Sequence, residues 1–132
     1  MNLIQHIPET PSPIMIVGEA PGREEMTQKK PFVGPEGRYF TKLLSAAGIT
    51  KGDCFLTNVA HTLPKKNNIF ETIPSEDIAA GKRQLESDIL QFRPNIIIAV
   101  GGKALEALTG KTSIFSYRGA TIECNLVPGV KI

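Results

Sequence analysis

IMIVGEAPGREEMTQKKPFVGPEG, residues 14–37, is the stretch from which the rest of the chain can be read. Its first four residues, Ile14 to Val17, are uninterrupted apolar, the pattern of a strand buried on both faces. Gly18-Glu19-Ala20-Pro21-Gly22 then breaks the strand and sets a carboxylate inside a turn. Glycine permits positive φ and close backbone approach; proline removes a donor and fixes its own φ. Glu24 and Glu25 add acid, Lys29 and Lys30 a basic pair, and Pro31-Phe32-Val33-Gly34 a second compact turn. The segment from Gly18 to Gly34 reads as one loop. A carboxylate and an aromatic in such a loop, directly after a buried strand, have the makings of a site.

Working outward, the strand itself spans Pro13 to Gly18, behind a polar, proline-rich and extended lead-in at residues 1–13. A helix begins at Pro35-Glu36-Gly37. Phe40, Leu43, Leu44 and Ala47 are spaced to form one apolar face, and Gly48 stops it. Cys54 to Val59 reads as a second strand. Residues 60–74 show no period and carry Pro64, Asn67-Asn68 and Pro74, so they form a long loop. A helix starts at Ser75, with Glu76 and Asp77 in its first turn and Ile78, Leu85, Ile89 and Phe92 on one face; Pro94 ends it. Asn95 to Val100 is a third strand, Lys103 to Leu108 a short helix stopped by Gly110, and Ala120 to Val127 a fourth strand.

This alternation predicts an α/β fold, a three-layer α/β/α sandwich around a mostly parallel four-stranded sheet, in one domain over residues 1–132. In such folds ligands meet the loops that follow the C-terminal ends of strands. That rule brings Glu19, Asn58 and Gly101-Gly102 to one edge.

Composition narrows the class. With 41% hydrophobic and 21% charged residues the chain has the balance of a folded globular protein, not of a disordered one. A net charge of +2 is compatible with nucleic acid without arguing for it. No apolar run is long enough to span a membrane, and residues 1–13 lack a signal-peptide core. Cys54 and Cys124 lie far apart in apolar segments and read as buried thiols, which places the protein in the cytoplasm. His6 and His61 read as surface histidines. Gly102-Lys103-Ala104 lacks the hydroxyl of a P-loop, and Gly18, Gly22 and Gly34 do not form a dinucleotide fingerprint. An acidic loop repels phosphate and suits a site where positive charge develops or a water is held.

The combination Gly18-Glu19-Ala20-Pro21-Gly22, Glu25, Pro31-Phe32-Val33-Gly34 and Gly37 resembles the first motif of the uracil-DNA glycosylase superfamily. It is most similar to the family-four enzymes and the glycosylase-like domains of some phage DNA polymerases. Thr57-Asn58-Val59, Pro74 to Ala80 and Ile96 to Gly101 also look like family segments, so the resemblance covers roughly residues 14–128. It implies hydrolysis of the N-glycosidic bond of a uracil flipped out of DNA. Phe32 would stack on the base, and the Asn58 amide would read its edge as donor and acceptor. Glu19 and Glu25 would be the catalytic carboxylates, Glu19 stabilising the cationic sugar or orienting water and Glu25 supporting the loop beside it. Gly18, Ala20 and Pro21 would line the base pocket, with backbone N–H groups holding the leaving uracil anion. Lys29 and Lys30 would meet phosphates of DNA. Replication or repair proteins are further possible partners.

Three departures accompany the resemblance. Family-four enzymes hold a four-iron–four-sulfur cluster on four cysteines; residues 1–13 contain none, and Thr62 and Gly81 stand at the later two positions. No cluster and no other cofactor or metal is therefore expected. A His-Pro-Ser/Ala motif that touches uracil in the family is absent, so the domain is expected to be C-terminally incomplete. Lys29 stands where the family more often has glycine. Two alternatives remain: a catalytically weak or inactive DNA-binding module associated with a phage-type DNA polymerase, and a different small-molecule enzyme on the same sheet.

Overall fold

A computed structural model describes residues 3–65, 69–111, 124 and 131–132. The described residues form three parallel strands in the order β2-β1-β3: β1 (Ile14–Gly18), β2 (Phe55–Asn58) and β3 (Ile96–Ala99). Four α-helices accompany them: α1 (Arg23–Gln28), α2 (Pro35–Ala46), α3 (Ser75–Phe92) and α4 (Gly102–Thr109). No helix among the described residues is long and apolar enough to cross a membrane.

The period-two alternation of a strand divides the core into two halves. Met15, Val17, Phe55 and Ile97 face α3 and α4, where they meet Leu85, Ile89, Ala104 and Leu108. Ile16 and Leu56 face the other way, onto Leu44 of α2 with Phe40 and Phe32 beside it. Helices therefore cover both faces of the sheet, giving the three-layer α/β/α arrangement that the sequence predicts. Its fourth strand, Ala120 to Val127, lies outside the described residues apart from Cys124, which is buried on the α3/α4 side. The chain end joins the sheet: Lys131 bridges Ile96 in parallel, and Ile132 is buried.

Several expectations need correction. The loop from Gly18 to Gly34 contains a helix, α1, because Glu25 at its third position reaches back to the Gly22 N–H. On α2, Leu44 is buried and Phe40 half-buried, but Leu43 is 50% exposed and Ala47 is exposed. The buried stripe runs instead through Gly37, Phe40, Thr41 and Leu44. It begins at Gly37 because a Cβ there would collide with the Phe32 backbone. The long loop after β2 contains a 3-10 turn, Phe70–Thr72; the Asn67-Asn68 pair lies outside the described residues.

His61 is not a surface residue. It is only 4% exposed, and its Nδ1 accepts the Ile4 N–H at 3.0 Å. That bond docks the lead-in, which also pairs antiparallel with β2 through His6 and Leu56 and so covers the sheet edge. Burial pulls the His61 pKa below the ordinary 6.5. Nδ1 can accept only while it carries no proton, so the folded state holds this nitrogen unprotonated. The unfolded chain takes up that proton near pH 6.5, so acidification through the window below 6.5 favours unfolding. The urea midpoint should accordingly fall as pH is lowered from 6.5 towards the folded-state pKa. His61→Asn, which keeps an acceptor without titrating, should flatten that part of the profile. Equal slopes in the two proteins would contradict the assignment.

Candidate active site

The register of β1 on β2 sets Gly18 opposite Asn58. Beyond it the ladder continues for two bonds: Val59 N–H donates to the Gly18 carbonyl, and Ala60 N–H to the Glu19 carbonyl. On the other side Val100 N–H donates to the Val17 carbonyl. Glu19 therefore leaves the sheet with its backbone fixed, at the strand-end edge where the sequence places it.

Gly18 is the point at which two side chains converge. A Cβ there would lie 2.5 Å from Asn58 Oδ1 and 3.1 Å from Phe32 Cζ. Hydrogen at that position is what lets the amide and the ring occupy the same corner. Asn58 is 4% exposed. Phe32 is half-buried, its ring packed on Phe40 with centroids 5.8 Å apart. It belongs to the core on one side and faces a cleft on the other. Its backbone sits at φ 55, in the left-handed region that a residue with a Cβ adopts only when its surroundings hold it there.

The two carboxylates of the loop are tied differently. Glu19 reaches α4: its Oε2 accepts the Lys103 N–H at 2.8 Å, at the positive end of the helix. Gly101 makes this possible. It has φ 101, and a Cβ on it would lie within 2.6–2.7 Å of the Glu19 side chain. Glu25 accepts three backbone N–H groups, Gly22 at 3.1 Å, Val33 at 2.8 Å and Gly34 at 2.5 Å. It binds the two turns of the loop to each other. Arg38 adds a donor to the Val33 carbonyl and an exposed ion pair with Glu24.

Gly18, Glu19, Ala20, Pro21, Glu25, Phe32 and Asn58 all line one cleft of about 670 Å³. Lys29 and Lys30 do not; both are exposed at the end of α1. Lys29 takes the left-handed cap position at φ 55, the conformation that favours glycine. Gly101, which the sequence places at this edge, also lines the cleft, as do Phe40, Pro64 and Phe70, which the sequence does not mark as pocket residues. Phe70 is held by Lys103, whose ammonium lies 5.9 Å from the ring and 2.9 Å from Glu71. Lys51 was missed as well: its Nζ donates to the Phe32 carbonyl at 2.9 Å. Burial pulls its pKa down, against the opposing charge of Glu25.

The cleft has an aromatic on one wall, a buried amide beside it, and a carboxylate on a rigid mount. That set can sandwich a flat polar ring, read its edge and stabilise positive charge at an attached group. The family model of the uracil DNA glycosylase superfamily matches residues 4–128. The type-4 uracil-DNA glycosylase of Pyrobaculum aerophilum is 41% identical over 101 residues, 74% of this chain and 50% of that protein. That of Archaeoglobus fulgidus is 35% identical over 103 residues, 76% and 49%. That of Thermotoga maritima is 37% identical over 112 residues, 83% and 57%. The chain belongs to the uracil DNA glycosylase superfamily. It spans about half the length of the curated relatives it matches.

The described residues do not fit the iron–sulfur cluster that the resemblance implies. Cys54 and Cys124 are free thiols in the cores on opposite faces of the sheet. A Cβ at Gly81 would strike the Val59 carbonyl oxygen, so α3 has no room there for a ligand side chain. Among the described residues no group of three or more His, Cys, Asp or Glu could hold a metal.

The three hydrogen bonds that Glu25 accepts yield a test of how this loop is held. Glu25→Gln keeps the shape but sets an NH2 against one of the N–H donors. Stability to urea should fall by about 1–3 kcal/mol, the cost of a lost charge-assisted bond and an unpaired donor. An unchanged midpoint would mean that the loop is held elsewhere.

Proposed function

We propose that this chain carries the base-binding and glycosidic-bond chemistry of a uracil-DNA glycosylase, acting on uracil flipped out of DNA. The observation that carries the reading is the convergence of Phe32 and Asn58 on Gly18, beside Glu19. Phe32 stacks on the base, a contact worth about 1–3 kcal/mol. The Asn58 amide offers a donor to O4 and an acceptor to N3–H of uracil. As the N-glycosidic bond breaks, positive charge grows on the sugar and negative charge on the base. Glu19, fixed by Lys103 N–H, faces the first of these or orients the attacking water. Backbone N–H groups at Glu19 and Ala20 take up the second. Glu25 acts through the loop as a positioning residue and touches no substrate. Lys29 and Lys30 are set outside the cleft, where contact with DNA phosphates is their role.

The test is release of uracil from a single-stranded oligonucleotide, read as alkali-labile abasic sites. Asn58→Ala should slow release by about 10- to 100-fold, the loss of a buried hydrogen bond to the reacting base. Glu19→Ala should slow it by about 100-fold or more. Release unchanged in both variants would remove these residues from the site. Salt-dependent binding without release would favour the DNA-binding module instead.

We further propose that this chain works without the iron–sulfur cluster. Packing of Gly81 on Val59 and the bond from Ile4 to His61 support the reading, since they close the corner between the lead-in, β2 and α3. Purified protein should contain no stoichiometric iron and show no broad visible absorption. Iron at about four atoms per chain would overturn the proposal.

A further inference from the structure

The turn that carries Phe32 is gripped from two sides by groups of opposite charge. Glu25 accepts from Val33 and Gly34 N–H; Lys51 donates to the Phe32 carbonyl oxygen at 2.9 Å. Lys51 opens the 3-10 turn Lys51–Asp53 that precedes β2, so its backbone is anchored independently of the loop. Behind the same peptide, Gly37 lets α2 press directly on the Phe32 backbone. Phe32 meanwhile holds φ 55, a conformation that costs energy and reverts unless something fixes it. The only side chain seen bonded to the Phe32 carbonyl among the described residues is Lys51. An ammonium drawn partly out of water, its pKa lowered by that burial, is not an ordinary surface charge.

We propose that Lys51 is a positioning residue for base recognition: by holding the Phe32 carbonyl it fixes the left-handed backbone, and with it the plane of the ring beside Gly18 and Asn58. The proposal rests on the reading that Phe32 stacks on the base. Glu19 and Asn58 are mounted on other elements, so loss of Lys51 weakens binding of the base more than it slows the chemical step.

Two measurements on the full chain test this. In the first, binding of a uracil-containing single-stranded oligonucleotide is followed by fluorescence anisotropy, and its turnover by uracil release. Lys51→Met should raise Kd and KM by about tenfold with kcat changed by less than about threefold, and Lys51→Arg should recover most of the loss. In a Phe32→Ala background Lys51→Met should add nothing. Wild-type affinity in Lys51→Met, or full additivity with Phe32→Ala, would overturn the proposal. Wild-type affinity in Phe32→Ala would instead defeat the stacking reading. In the second measurement, carbonyl and ring resonances of Phe32 are compared by NMR in wild type, Lys51→Met and the milder Lys51→Gln. Both neutral variants should shift them and leave the Asn58 side-chain amide in place. Unmoved Phe32 resonances in a folded variant would overturn the positioning role whatever the activity.

Discussion

The register that sets Gly18 opposite Asn58 is the constraint on which the site depends. β1 is the central strand, paired on both sides, and its side chains are buried on both faces. A slip of one residue would turn Met15 and Val17 to the α2 side and carry Ile16 the other way, so the core forbids it. With the register fixed, Asn58 ends its strand beside the point where Glu19 leaves the next one. The missing Cβ of Gly18 then decides how closely the amide and the Phe32 ring approach. Core packing far from the cleft thus places the atoms that face it.

Charge holds the loop once the sheet has placed it. An acidic loop beside a site would be expected to move, since its carboxylates favour water. Here Glu25 is spent on three backbone N–H groups, and Glu19 on the first turn of α4. Such charge-assisted bonds are roughly twice as strong as neutral ones, which offsets the rotamer entropy lost in ordering the two side chains. Lys51 completes the arrangement from the basic side. Around the start of the loop after β2, the His61–Ile4 bond and the Gly81–Val59 contact hold the lead-in, β2 and α3 together by packing.

Much of this was legible in the sequence, for identifiable reasons. The runs Ile14–Val17 and Ile96–Val100 are continuous apolar strands, and the rule of strand C-terminal ends then locates Glu19 and Asn58 without coordinates. The glycines and prolines of residues 18–37 mark turns because their backbone chemistry is local. What stayed hidden depends on distant pairs. Nothing near Lys51 in sequence announces a bond to a carbonyl nineteen positions away. His61 looked like surface because its partner is the backbone of Ile4, which no side-chain pattern reveals. The α1 helix is too short for a period, and its one signal is the reach of Glu25 back to Gly22, which a loop-supporting carboxylate does not by itself announce as a helix. Leu43 misled because four apolar residues at helical spacing suggest a wide buried face. Close approach at Gly37 instead tilts the contact to one edge of the helix.

The central claim is that Phe32, Asn58 and Gly18 form the seat of a uracil ring. Titration of the isotope-labelled chain with free uracil tests it without requiring turnover or DNA. The account predicts saturable shifts at the Gly18 amide, the Asn58 side-chain amide and the Phe32 ring. The second cleft, between α3 and α4 and lined by Ser75 and Lys82, should stay silent. Saturable shifts centred on that second cleft, or none at Gly18, Phe32 and Asn58 at saturating uracil, would contradict it.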